Sequence, residues 1–226
     1  MTATVFPPAP AVLAAIDGTD VRFPVRRIFC VGRNYAAHRA EMGGDDREPP
    51  FFFTKPADAL VPSGTIIPYA RATADLHHEV ELVIAIGTGG AEIPVEEALS
   101  HVYGYAVGVD LTRRDLQAAA KSKGQPWDSA KAFDRSAPLG AVRVATGSDL
   151  PGGIRLFVND TPRQASQLSH MIWSVPEIIA ECSRLWQLAP GDLIFTGTPD
   201  GVGALAPGDH VRAVIDGLPE LDFTIA

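Results

Sequence analysis

The stretch His77-His78-Glu79-Val80-Glu81-Leu82-Val83-Ile84-Ala85-Ile86 decides how the chain is read. A β-strand sends successive side chains to opposite faces. Glu79 and Glu81 therefore share one face with Val83 and Ala85, while Val80, Leu82, Ile84 and Ile86 share the other. The pattern predicts a strand over 80–86 buried on both sides, with two carboxylates at one end. Two like charges about 4 Å apart repel by about 4 kcal/mol at an effective dielectric of 20. A cation, a shared proton or solvent must offset that repulsion, so the pair is either part of a metal site or a strand end that frays into water.

A second buried strand is predicted over 102–110, ending at Asp110. A helix is expected to follow directly, from Thr112 to about residue 123, with Thr112-x-x-Asp115 as its capping pattern. Asp110 is then either a helix cap or a ligand at a strand-to-helix junction. Glu79, Glu81 and Asp110 offer oxygen ligands with no cysteine and no His-x₃-His pair beside them, which favours a hard cation, Mg²⁺ or Mn²⁺, over Zn²⁺. His77 and His78 alternate faces, so at most one shares the carboxylate side, and a supporting role suits them better.

Working outward, the 226 residues carry 27 Asp+Glu against 19 Lys+Arg, a net charge of −8. An acidic surface repels phosphate backbones, which argues against general nucleic-acid binding. A hydrophobic share of 46% excludes intrinsic disorder. The 21 Gly and 19 Pro follow no period and predict many turns between short strands. Cys30 and Cys182 read as buried thiols in a reducing compartment. No apolar run approaches the roughly 18 residues of a membrane helix, and the N-terminus does not look like a signal peptide, so no membrane partner and a cytoplasmic location are expected. Residues 1–25 read as an extended arm with one short strand, and 26–226 as one β-rich domain with a few helices. Further strands are predicted over 27–31, 51–54, 154–158 and 163–168 (joined by an Asn159-Asp160 turn), 192–196, 211–215 and 221–225. Helices are predicted over 34–42, over 94–101, and from the Ser174-x-x-Glu177 capping box to about residue 188.

Six segments in order carry a resemblance. They are Cys30-Val-Gly-Arg-Asn-Tyr-Ala-Ala-His38, Phe53-Thr-Lys-Pro56, His78-Glu-Val-Glu81, Gly108-Val-Asp110, Trp127-Asp-Ser-Ala-Lys131 and Phe195-Thr-Gly-Thr-Pro199. From about residue 26 to the C-terminus the chain resembles the fumarylacetoacetate hydrolase family, nearest its short acylpyruvate hydrolases. The resemblance implies an α+β, β-rich fold, a mixed β-roll with a few packing helices, and a homodimer. It also implies a divalent cation, Mg²⁺ or Mn²⁺, held by Glu79, Glu81 and Asp110.

His38 and Glu41 lie three apart on the predicted helix and share a face. They are either a surface pair or an imidazole base with an orienting carboxylate. The resemblance implies the second, on a lid hinged at Gly43-Gly44 whose closure excludes bulk water. Lys131, in a stretch read as loop, is either a solvated lysine or, by resemblance, a cation beside the metal that stabilises an enolate. Arg114 and Gln117 share a helix face, and arginine suits bidentate carboxylate recognition. By resemblance Thr198 holds a substrate carboxylate. Arg33 and Lys55 are further candidates, for a distal carboxylate or as braces for the lid. The implied substrate is a small dicarboxylic oxo acid, a 2,4-dioxo acid with fumarylpyruvate as first choice, split by water into fumarate and pyruvate in gentisate breakdown. The same scaffold serves decarboxylases and isomerases of oxaloacetate and related oxo acids. A rival of another class is a non-catalytic metal- or metabolite-binding protein. His38 and Glu41 together favour hydrolysis over those activities, and the presence of the dyad and of Lys131 argues against the non-catalytic rival. One departure stands out: Asn159-Asp160 replaces the Asn-Gly of many relatives, which is expected to alter a turn.

Overall fold

The alternating side chains of Val80–Ile86 go to two separate cores. The computed structural model describes residues 4–35, 48–146 and 152–226. Along the chain, β1 (Val12–Ala15) and β2 (Arg22–Val25) precede β3 (Arg27–Gly32), β4 (Phe51–Lys55), β5 (Leu60–Pro62) and β6 (Thr65–Ile67). Then come β7 (Leu76–His78), β8 (Val80–Ile86), β9 (Val102–Val109) and β10 (Thr112–Arg113), followed by α1 (Arg114–Ser122) and α2 (Asp128–Lys131). After β11 (Ala137–Leu139), β12 (Arg143–Val144), β13 (Gly153–Val158) and β14 (Thr161–Gln167), α3 (Val175–Leu185) leads to β15 (Asp192–Phe195), β16 (Gly203–Ala204), β17 (His210–Ile215) and β18 (Leu221–Ile225).

The largest sheet runs β4-β3-β15-β8-β9-β11-β5, with β12 also on β9, and a second runs β14-β13-β17-β18-β6. Leu82, Ile84 and Val107 of the first sheet join Leu156, Ala213 and Phe223 of the second in one core, which α3 completes with Ile178, Ile179 and Cys182. Val83, Ala85, Ala106 and Phe195 face the other way, into a smaller core closed by Ala14, Ile16, Phe23 and Val25. Residues 12–25 thus form a hairpin of two strands where one was expected, because its inward side chains cover the back of the large sheet. The expected β-rich roll with a few helices is observed.

Several boundaries differ from the sequence reading, each for a physical reason. Thr112 does not open a helix: Thr112 and Arg113 pair with His77 and Leu76, α1 starts at Arg114, and Asp115 bonds the Thr73 hydroxyl (2.6 Å) and the Ala74 N–H. The expected helix over 94–101 is a turn followed by a single 3₁₀ segment, Ala98–His101. The stretch before Lys131 is the one-turn helix α2 and not a loop. The Ser174/Glu177 capping box is present, but α3 ends at Leu185, since Trp186 turns extended and packs on Phe29 and Phe52. The three-residue strands β5 and β6, too short for any periodic signal, add to β11 and β18 in parallel. In the β13–β14 turn Asn159 and Asp160 both take the left-handed conformation, φ 49° and 60°, and Asn159 is tied to Asp209 and His210. The predicted helix 34–42 and the Gly43-Gly44 hinge lie outside the described residues beyond Tyr35.

What positions the site is the β8–β9 register. Val80 faces Val109 and Glu81 faces Gly108, and the Asp110 N–H donates to the Glu79 carbonyl at 2.8 Å, continuing the pairing one step. Residues opposite one another in a ladder point to the same face, so Glu79, Glu81 and Asp110 converge. Gly108 makes room: a Cβ there would lie 2.5 Å from Val83 Cγ2 and 2.6 Å from the Phe195 ring. Gly108→Ala is expected to lower the unfolding free energy by about 1–3 kcal/mol through overpacking. Urea denaturation checks this, and a midpoint indistinguishable from wild type would refute the packing argument.

Candidate active site

Glu79, Glu81 and Asp110 are all buried, and their ligand oxygens lie within 4.8 Å of one another. Three cations pair with two of the carboxylates, Glu79 and Asp110. The Lys131 ammonium sits 2.6 Å from Glu79 Oε2 and 2.7 Å from Asp110 Oδ2, and also donates to Thr112 Oγ1 at 2.6 Å. Lys55 Nζ lies 2.8 Å from Asp110 Oδ1, and Arg114 pairs with Glu79 Oε1. Burial alone would lower the Lys131 ammonium, but Asp110 and Glu79 more than offset it and hold its pKa above the ordinary lysine value. Glu81 accepts the Gly197 N–H at 2.7 Å. Burial first, then the charges of Asp110 and Glu79, push the Glu81 acid well above the usual carboxylate range. An acidic group so placed is relieved by positive charge. Oxygen donors, with no thiolate or imidazole among them, match a hard divalent cation.

The supporting residues explain why these groups stay aligned. Gly197 has φ +95°, and a Cβ there would meet the Asn34 Cβ at 2.7 Å, so a glycine is needed for its N–H to reach Glu81. Asn34, fully buried, donates to the carbonyls of Thr196 (2.8 Å) and Trp173 (3.0 Å) and accepts the Trp173 N–H (2.7 Å). It is thus a clamp between β3 and the loop after β15. His77 joins Asp75 at 2.8 Å and accepts from Arg114 Nε at 3.4 Å. Burial and Arg114 lower its pKa, so it is a neutral brace for the guanidinium. His78 is buried against Gln164, and burial lowers its pKa too. Neither histidine is in the carboxylate trio.

The pocket in front of the carboxylates brings together most of the residues expected from the sequence. Arg114, Gln117, Lys131, Thr198 and Arg33 line it, with Phe53 and Trp127 as apolar wall. Arg114 also bonds the Gln117 side chain, as their shared face requires. Arg113 turns away, over the Phe133 ring. Arg33 has φ 61° and its guanidinium lies 5.8 Å from the Phe51 ring. Lys55 requires a correction: its buried ammonium is committed to Asp110, to the Leu111 carbonyl at 3.2 Å and to the Lys131 carbonyl. It braces the trio from behind and is not among the residues lining the pocket. His38 and Glu41 lie outside the described residues. Asn34, Thr112 and Gln164 were not among the site residues expected from the sequence. Gln164 stands among polar residues in β14, so no contrast of polarity marks it, although it alone of that strand is buried.

The model for the fumarylacetoacetate (FAA) hydrolase C-terminal family matches residues 27–226. The chain is 42% identical over 179 residues to a fumarylpyruvate hydrolase of Ralstonia sp, covering 79% of this chain and 93% of that one. It is 41% identical over 202 residues to a mitochondrial oxaloacetate tautomerase of Rattus norvegicus, covering 88% and 91%. The crystal structure of fumarylpyruvate hydrolase from Pseudomonas aeruginosa in complex with Mn²⁺ and pyruvate superposes with a TM-score of 0.96 at 51% identity, over 99% of each chain. Matching folds, nearly full-length coverage and a convergent carboxylate trio agree: the chain belongs to the fumarylacetoacetate hydrolase family.

Proposed function

We propose that the protein hydrolyses the C3–C4 bond of an acylpyruvate, with fumarylpyruvate plus water giving fumarate and pyruvate in gentisate breakdown. The observation that carries this reading is the buried trio Glu79, Glu81 and Asp110 opening onto a pocket with Lys131, Arg114 and Thr198. The Mn²⁺ and pyruvate of the Pseudomonas aeruginosa structure support it. A divalent cation, Mg²⁺ or Mn²⁺, held by the trio supplies Lewis-acid polarisation of the bound oxo acid. Arg114, Gln117 and Thr198 orient the carboxylate of the pyruvyl half. His38, aligned by Glu41, takes a proton from the water that attacks the C4 carbonyl. Lys131 stabilises the negative charge that develops on the enol oxygen as the C3–C4 bond breaks. A proton returned to C3 completes pyruvate, and the acyl half leaves as fumarate. A net charge of −8 does not repel a dianionic substrate from such a site, because exposed charges are screened beyond about 10 Å at 0.1 M salt.

The oxaloacetate tautomerases among the relatives support a second reading. Keto–enol exchange of oxaloacetate uses the same stabilised enolate and omits the attacking water. We also propose a homodimer and a cytoplasmic location, on the resemblance. Among the described residues no helix is long and apolar enough to cross a membrane.

The primary test follows the ultraviolet absorbance of enolised fumarylpyruvate. Metal-dependent loss with equal amounts of fumarate and pyruvate is expected. Exchange of oxaloacetate without cleavage of any acylpyruvate would select the second reading. His38→Ala is expected to lower kcat by about 10²- to 10⁴-fold with Mn²⁺ affinity retained; wild-type turnover would remove His38 from the mechanism. Calorimetry of Glu81→Ala and Glu79→Ala should show metal affinity largely lost, and an unchanged affinity would dismiss the ligand set.

A further inference from the structure

Gln164 sits in β14, 1% exposed, and its amide makes four contacts that join three parts of the site. Oε1 accepts the Val80 N–H at 3.1 Å and lies 3.0 Å from His78 Nδ1. Nε2 donates to Thr198 Oγ1 at 2.8 Å and to the Pro199 carbonyl at 2.9 Å. A backbone N–H only donates and a backbone carbonyl only accepts. The Val80 N–H therefore fixes which end of the amide is oxygen, and the Pro199 carbonyl fixes which end is nitrogen. The reversed amide would set N–H against N–H and carbonyl against carbonyl.

That polarity has a consequence at Thr198. Its hydroxyl oxygen accepts from Gln164, so its proton is directed elsewhere, and among the described residues no hydrogen bond runs from it to a protein acceptor. Thr198 lines the pocket. We propose that Gln164 is a positioning residue for substrate binding, its amide turning the Thr198 hydroxyl into a hydrogen-bond donor aimed at an anionic oxygen in the pocket. The same amide ties the start of β8, between Glu79 and Glu81, to the loop carrying Thr198. It thereby sets the donor at a fixed place relative to the carboxylate trio. The proposal rests on the functional reading above only in taking that anionic oxygen to belong to an oxo acid.

The test measures pyruvate affinity by calorimetry in Mn²⁺-loaded protein for wild type, Gln164→Glu, Thr198→Val and the double variant. Mn²⁺ affinity and thermal unfolding are recorded for each. Glutamate keeps the shape of glutamine but puts an acceptor where the donor was, so the Thr198 proton turns back towards residue 164. Gln164→Glu and Thr198→Val should each weaken pyruvate by about ten- to hundredfold, the effect of one hydrogen bond to a charged group. Mn²⁺ affinity should stay near the wild-type value, and the double variant should bind pyruvate no more weakly than Thr198→Val alone. Multiplying losses in the double variant, unchanged pyruvate affinity in Gln164→Glu, or a parallel loss of Mn²⁺ affinity would each overturn the proposal. Gln164→Met serves as the same test should the glutamate variant not fold. If wild-type protein binds pyruvate but cleaves no acylpyruvate, the functional reading fails while the role of Gln164 is still decided by these comparisons. If wild type binds no pyruvate, the proposal falls as well.

Discussion

Three carboxylates are buried side by side on one face of a β-ladder, and much of the surrounding structure answers that single electrostatic demand. Removing one partner from a buried ion pair typically costs about 3–5 kcal/mol, because the remaining charge is left without solvent or counter-charge. Here the compensation is shared. Lys55 takes Asp110 from behind, Lys131 bridges Asp110 and Glu79, Arg114 takes the other oxygen of Glu79, and a backbone N–H takes Glu81. Glu81, whose acid is pushed well above the usual carboxylate range by burial and its neighbours' charges, accepts from a backbone dipole where the other two meet full charges. The arrangement keeps an oxygen-rich centre ready for a cation while its rim stays positive towards an anionic ligand.

Such a centre needs a rigid frame, and the two cores supply it. Val80, Leu82, Ile84 and Ile86 anchor β8 in the large core, Val83 and Ala85 anchor it in the small one, and the strand has little freedom to rotate or slip. A slip of one residue would exchange the glutamate face for the apolar one. Side-chain clamps complete the frame where the backbone ladder ends. Asn34 fixes the loop after β15, Gln164 fixes that loop against β8, and His77 fixes Arg114. Each spends its polar atoms on other polar groups, as buried polar side chains generally do.

The legible part of the site was the part written in short local patterns. Glu79 and Glu81 announced a shared face through strand periodicity, and Arg114 with Gln117 announced a shared face through helix spacing. Lys55 was legible as a motif residue but not in its role, since nothing local distinguishes a lysine that reaches a ligand from one that braces an aspartate. Thr112 misled because its capping pattern is a local rule, and pairing with β7 offered its backbone a better partner. Gln164 and Asn34 were silent because their partners lie far away in the chain, at Thr198 and Trp173.

By itself the sequence determined a β-rich chain, a doubly buried strand ending in two glutamates, a third acidic residue at a strand terminus, and the ordered motifs that mark the family. These follow from periodicity, composition and residue type, all of which act over a few neighbouring positions. Only the tertiary structure decided that Asp110 stands opposite Glu79, that Lys131 is buried in the trio and not solvated, and that the N-terminal hairpin seals the back of the large sheet. Those outcomes depend on register and on charge compensation between residues distant in sequence, and both are settled only when the cores close.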